Sequence, residues 1–368
     1  MGEHISQEPH IRKRVLVLFG GQSGEHDVSL RSAQTVIGAL DPARYDVVSI
    51  GITREGRWLT GGDPMAALTA HSPLFALSGG GDELVQEVES SDPTAALPVV
   101  MSGRIDVVFP VLHGPMGEDG TVQGMLELSG IPYVGSGVLG SAVAMDKGIA
   151  KTICAEAGIP QAKWMTVLRR DWERHTDRIT AEIGEKLGYP CFTKPANMGS
   201  SVGVAKAHNA KELAECISIA ARYDRRVIVE QGVDARELEI SILGNDEPIA
   251  SIAGEIRPSR EFYDYEAKYI DDRSELIIPA KIDAATLSEI QRIAIEAFRA
   301  LDLAGMARAD FFLDRGTGEL FLNEVNTIPG FTSISMYPML WAASGISLPE
   351  LVDRLIALAI ERHAERRV

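Results

Sequence analysis

The apolar run Val15-Leu-Val-Leu-Phe19 stops at Gly20-Gly-Gln-Ser-Gly24, and helical spacing follows from about Val28 to Leu40. A strand, a glycine turn and a helix in that order open a doubly wound α/β domain. More strands are expected at 46–52 and at 105–112, the second running into His113-Gly-Pro-Met-Gly-Glu-Asp-Gly120. Residues 60–100, rich in Gly, Ser, Pro and Asp, read as an excursion on this domain. A helix over 120–129, a strand over 131–134 and a turn punctuated by Gly135, Gly137 and Gly140 lead to a helix around 141–157.

A second unit then reads strand (164–168), helix (177–187), strand (191–194), glycine-rich turn, strand, helix (210–222) and strand (226–230). A third begins with alternating strands at 236–243 and 248–257, passes an irregular segment at 258–275 and continues as a helix over 283–301. A hairpin follows, with strands at 305–313 and 319–325 joined by Asp314-Arg-Gly-Thr-Gly318, a favourable turn composition. Helices at 334–343 and 348–362 close the chain, the last with the amphipathic spacing Leu351, Leu355, Leu358 of a surface helix. Two or three domains are expected from 368 residues; we place them at 1–135, 136–232 and 233–368.

Charge and cysteine content narrow the function classes. Asp plus Glu number 52 against 36 Lys plus Arg, a net charge of −16 that disfavours nucleic acid and anionic membrane surfaces as partners. No apolar run approaches the ~18 residues of a membrane helix, and the opening residues lack the apolar core of a secretory signal. Cys154, Cys191 and Cys216 stand outside any CxxC pattern and read as reduced thiols of a cytoplasmic protein.

The hairpin carries the most chemistry. Side chains two apart on a strand share a face, so Arg308 pairs with Asp310, and Glu324 with Asn326. If the strands run antiparallel, two carboxylates, an amide oxygen and a guanidinium converge. Hard oxygen ligands in that number suit Mg²⁺ that completes its shell with nucleotide phosphates; a solvated surface salt bridge is the plainer alternative. Gly199-Ser-Ser-Val-Gly203 can fold backbone N–H groups around phosphate oxygens, although a plain turn would look the same. Lys147 and Lys194 can serve as phosphate point charges, and Glu230 and Glu237 can accept from an adenine amine and ribose hydroxyls or remain surface charges. His113 lies beyond the carboxyl end of a strand, where doubly wound sheets bind ligands, and can donate to a substrate carboxylate. Glu25 at a helix start would repel phosphate and attract an ammonium group. The Tyr- and Lys-rich stretch Tyr263-Asp-Tyr-Glu-Ala-Lys-Tyr269 suggests a mobile lid. No Ser/His/Asp or Cys/His nucleophile set is apparent.

Together these segments resemble the D-alanine–D-alanine ligases of the ATP-grasp superfamily. The resemblance runs from about Val15 to Leu358 and rests on five stretches in order, those beginning at Gly20, His113, Lys194 and Phe262 and the pair Arg308-Ala-Asp310 with Asn323-Glu-Val-Asn-Thr-Ile-Pro-Gly330. It implies a three-domain ATP-grasp architecture: an N-terminal doubly wound α/β domain followed by two α+β domains that clasp the nucleotide, with a lid over 258–275. It also implies ATP-dependent formation of D-alanyl-D-alanine through a D-alanyl phosphate, for peptidoglycan precursor synthesis; the related reading is a ligase making D-Ala–D-lactate or D-Ala–D-serine.

Carried over by position, the resemblance implies that Lys147, Lys194, Lys268 and the loop Gly199, Ser200, Ser201, Val202, Gly203 hold phosphates. Glu230, Glu237 and Phe262 would contact the nucleoside. Asp310, Glu324 and Asn326 would bind two Mg²⁺ ions, with Mn²⁺ as a substitute and K⁺ as a further ion. Glu25 would take the first ammonium, His113 the first carboxylate, and Ser335 with Met336 the second substrate. Arg308 and the Gly330 N–H would stabilise the oxyanion, and Ser200 and Tyr269 would link the lid to Glu25. A tyrosine at 269 favours D-alanine as the second substrate. The family also implies a homodimer.

Overall fold

The computed structural model describes residues 12–70, 72, 90–91, 105–257 and 275–366. The first strand, β1 (Lys13–Gly20), lies between two parallel neighbours, β2 (Tyr45–Ile52) and β5 (Val107–Val111). A parallel strand with cover on both faces must be apolar throughout, and β1 divides accordingly. Val15, Val17 and Phe19 face one core with Leu30, Ala33 and Val36 of helix α1 (His26–Ala39). Leu16 and Leu18 face another with Val122 and Leu126 of a helix spanning Thr121–Ser129. The short strands β3 (Trp58–Leu59) and β4 (Ser90–Ser91) extend this sheet, so the excursion returns to pair with it. Within it, Pro64–Thr69 forms a helix capped by Asp63, which accepts from Ala66 N at 3.0 Å.

The second sheet has four antiparallel strands in the order β6 (Trp164–Leu168), β9 (Arg226–Gln231), β7 (Cys191–Pro195), β8 (Ala205–Ala207). The third has five, β12 (Glu275–Ile277), β11 (Ile249–Arg257), β10 (Ala235–Gly244), β13 (Gly305–Asp314) and β14 (Leu320–Asn326), also antiparallel.

Four expectations change. The strand over 131–134 reduces to one bridge, Tyr133 with Val108, before Gly135 turns the chain. The helix around 141–157 is two, Val138–Met145 and Lys147–Glu156; Asp146 leaves helical geometry between them and caps the second by accepting from Ile149 N at 3.0 Å. The helix placed at 177–187 starts at Arg169 and runs to Lys186, bent at His175. Its first two turns bury only Trp172, so their apolar periodicity is weak. The closing helix, Leu348–Glu365, is not a surface element of the third unit alone. Leu351, Leu355 and Ile356 share the core of Val15 and Val17, and with Met336–Ala343 it ties the third sheet to the first. Among the described residues no helix is long and apolar enough to cross a membrane.

Candidate active site

A cavity of about 650 Å³ is lined by residues of all three sheets and their loops. The hairpin supplies one wall. Its register sets Arg308 opposite Asn326 and Asp310 opposite Glu324. On the other side of β13, Glu239 stands opposite Asp310. The Arg308 guanidinium donates from Nε and Nη2 to both oxygens of Asp310, at 2.7 and 2.8 Å, and its Nε lies 3.0 Å from Glu239 Oε2. Asn326 Nδ2 donates to Asp310 Oδ2 at 3.1 Å. Two carboxylates and an amide on adjacent strands are hard donors that fit Mg²⁺ or Mn²⁺. Among the described residues no three His, Cys, Asp or Glu side chains form a ready metal cage.

The second sheet supplies the cations. Lys194 on β7 lies 2.5 Å from Glu230 on β9, and Lys151, one helical turn beyond Lys147, lies 2.9 Å from the other Glu230 oxygen. Burial by itself would raise the Glu230 carboxyl, but the two ammonium groups outweigh it and hold the group at about 2. Lys194 is pushed down by its enclosure and further up by Glu230 and Glu324, for a net rise. Each Glu230 oxygen thus lies beside one lysine, and the carboxylate lines the cavity. Glu237 lines the cavity on the same strand face as Glu239. Lys147 Nζ donates to Met198 O at 2.7 Å and lies 3.8 Å from Glu324 Oε2, so it links the glycine-rich loop to the hairpin.

In that loop Ser200 and Ser201 both take left-handed backbone, φ 48° and 59°, a cost of roughly 1–3 kcal/mol each. Ser200 Oγ donates to Glu25 Oε1. A Cβ on Gly199 would lie 2.8 Å from the other Glu25 oxygen, so a larger residue there would push the Glu25 carboxylate aside. Gly199, Ser200 and Ser201 line the cavity; Val202 and Gly203 are set back from it.

His113 is buried, with Nδ1 2.9 Å from the Ile328 carbonyl and Nε2 3.3 Å from Ser32 Oγ. Burial lowers its pKa, ahead of the opposing effect of Glu25. A carbonyl only accepts, so the single proton of the neutral ring sits on Nδ1. Nε2 is then an acceptor, and donation from His113 to a substrate carboxylate would require a second proton. Gly330 lines the cavity. Ser335 does not: its Oγ is engaged by Thr332 N at 3.0 Å and Thr332 Oγ1 at 2.7 Å. Met336 is buried against Leu340 and Ile256, behind a residue of the cavity wall rather than in the lining. Phe262, Lys268 and Tyr269, with nearly all of the expected lid, lie outside the described residues.

Two family models match the chain, "D-ala D-ala ligase N-terminus" over residues 14–136 and "D-ala D-ala ligase C-terminus" over 153–357. The chain belongs to the D-alanine–D-alanine ligase family. Among curated relatives it is similar to the D-alanine–D-alanine ligase of Heliobacterium modesticaldum, 48% identical with 97% of each chain covered. The ligase of Thermoanaerobacter sp. is 51% identical, covering 96% of this chain and 98% of the relative. Among solved structures, the D-alanine–D-alanine ligase of Coxiella burnetii matches with TM-score 0.79 and 36% identity, over 97% of this chain and 96% of that one. The VanG D-Ala:D-Ser ligase of Enterococcus faecalis matches with TM-score 0.78 and 37% identity, over 95% and 99%. The architecture is the three-domain ATP-grasp fold of these ligases.

Three features in or beside the cavity of this family member were not assigned from its sequence. Lys151 repeats Lys147 at i+4, a spacing that puts both on one helix face. Glu239 alternates with Glu237 on β10, which could have placed it beside Arg308. Glu118 sits inside the loop after β5 and accepts from Gly114 N at 2.7 Å. Its enclosure first, and then the neighbouring Glu25 charge, push its carboxyl up to about 8.

Proposed function

We propose that the cavity joins two D-alanines at the expense of ATP, the reaction of the family to which the chain belongs. A carboxylate oxygen of the first D-alanine attacks the γ-phosphorus, the bond to the bridging oxygen breaks, and ADP leaves. The amine of the second D-alanine then attacks the acyl carbon, and the tetrahedral adduct expels phosphate. Neither step needs a protein nucleophile; both need alignment and charge neutralisation.

In this reading Lys147, Lys194 and the backbone of the 199–203 loop neutralise phosphate, with Lys268 added from the lid. Asp310, Glu324 and Asn326 hold divalent ions, which when bound polarise the phosphoryl oxygens. Glu25, steadied by Ser200, takes the first ammonium. Arg308 turns from Asp310 towards the oxyanion, together with the Gly330 N–H. Glu230 keeps Lys194 and Lys151 in place and, with Glu237, faces the nucleoside. Tyr269 and Ser335 complete the lid and the second subsite. Cuts near residues 135 and 232 would separate the three sheets, apart from the two C-terminal helices. A homodimer working in the cytoplasm completes the proposal.

The observation that carries it is the convergence of Arg308, Asp310, Glu324 and Asn326 in one cavity with Lys147 and Lys194. Phosphate release with ATP, Mg²⁺ and D-alanine, alongside D-serine and D-lactate as acceptors, tests it. The expected result is D-alanyl-D-alanine in equal amount to phosphate. Preference for D-serine would move the chain towards the VanG-type reaction, and no release with any acceptor would overturn the reading.

A further inference from the structure

The segment Ile328-Pro-Gly-Phe331 belongs to the loop after β14, yet its backbone is held by residues of the first unit. The Ile328 carbonyl accepts from His113 Nδ1 at 2.9 Å, and the Gly114 N–H, next along the chain from His113, donates to Glu118 Oε1 at 2.7 Å. Three residues on from Ile328, Phe331 N donates to Ser32 Oγ at 3.0 Å. Ser32 is fully buried on α1 and its hydroxyl also meets His113 Nε2 at 3.3 Å. His113 is itself fixed from behind, because Ser23 Oγ donates to its carbonyl at 2.6 Å. Between the two anchored residues lie only Pro329, whose ring fixes φ, and Gly330. The direction of the Gly330 N–H is therefore set from both sides by another part of the chain.

We propose that Ser32, His113 and Glu118 form a clamp of positioning residues that aims the Gly330 N–H at the developing oxyanion. The proposal rests on the ligase reading above, and adds Ser32 and Glu118 to the residues on which the reaction depends. A preorganised donor is effective only if its direction is fixed before charge develops, and a small displacement of a positioning group is costly. Loosening the clamp should therefore act on amine attack more than on nucleotide binding. When that attack slows, water competes for the acyl phosphate: it adds to the acyl carbon, the bond to the phosphate oxygen breaks, and D-alanine and phosphate are returned without dipeptide.

The test compares Ser32→Ala, Glu118→Ala and Glu118→Gln with the parent enzyme, measuring dipeptide and phosphate together. The alanine variants should lose about tenfold or more in kcat for dipeptide, with KM for ATP within about twofold of the parent. Their dipeptide-to-phosphate ratio should fall below one, and hydroxylamine should still trap D-alanyl phosphate. Glu118→Gln keeps a carbonyl oxygen for the Gly114 N–H and should recover most of the coupling. If Glu118→Ala does not fold, Ser32→Ala and Glu118→Gln decide the matter. A ratio that stays at one, or a loss confined to KM for ATP, overturns the clamp and leaves the ligase reading intact. A parent enzyme that releases no phosphate with D-alanine overturns the ligase reading instead.

Discussion

Glu230 beside two lysines and Glu118 beside Glu25 both line the cavity, and their carboxyl groups shift in opposite directions. Glu230 is held at about 2 although burial pushes it up, because Lys151 and Lys194 each contact one of its oxygens. Glu118 is pushed up to about 8 because enclosure is joined by the charge of Glu25, against the weaker pull of the Gly114 and Ile328 amides and Lys147. Enclosure pushes both groups up, and only at Glu230 do neighbouring opposite charges overturn it. One end carries its cations in advance, which suits a triphosphate that must be gripped as it arrives. The other end sets the Glu25 and Glu118 carboxyl groups close together, which suits a substrate that brings its own ammonium.

The comparison breaks first at Glu230. Glu230→Ala would leave two enclosed ammonium groups facing each other, and stability should fall by about 3–5 kcal/mol. Urea unfolding would show it as a lower midpoint at constant slope; an unchanged midpoint would mean that the lysines find water or other partners. The pH dependence sharpens the contrast. Between pH 4.5 and 8 the unfolded chain has ionised Glu118 while the folded chain retains its proton. Stability from this group is therefore lost as pH rises through that window, by at most about 1.4 kcal/mol per pH unit. For Glu230 the order is reversed. Its contribution is present above pH 4.5 and lost as pH falls from 4.5 towards 2. Glu118→Gln should flatten the neutral-side slope and leave the acid side unchanged; an unaltered slope from pH 5 to 8 would refute the raised Glu118 value.

Asp310 lies between the two ends, and its partner is a guanidinium that the reaction is proposed to borrow. Asp310→Asn should reduce turnover at least about tenfold, or about 1.4 kcal/mol in barrier, through a weakened metal ligand. Near-normal turnover at saturating Mg²⁺ would count against the hairpin as the metal site.

Much of this arrangement was legible in the sequence because it depends on period-two alternation. Arg308, Asp310, Glu324 and Asn326 follow from which side chains share a strand face, and β1 follows from an unbroken apolar run ended by glycines. What could not be read depends on contacts between distant parts of the chain. The Lys151–Glu230 pair joins a helix and a strand far apart in the sequence, and nothing in the local spacing of either residue pairs them. The expected assignments of Glu230 and His113 took each residue alone, while their enclosed partners decide what their polar atoms can do. The closing helix has the spacing of a surface element because amphipathicity states that one face is buried, not which unit buries it.

The smallest expected effect tests whether the substrate end is held by many weak contacts or by a few strong ones. Ser23 Oγ donates to the His113 carbonyl at 2.6 Å, a neutral hydrogen bond behind the ring. Ser23→Ala should cost only about 1 kcal/mol of stability, and because His113 still has Ile328 and Ser32 as partners, its ring should stay in register. The dipeptide-to-phosphate ratio should then remain at one in Ser23→Ala while it falls in Ser32→Ala. Equal uncoupling in both variants would mean that the whole loop after β5, rather than the direct contacts to Ile328 and Phe331, sets the aim of the Gly330 N–H.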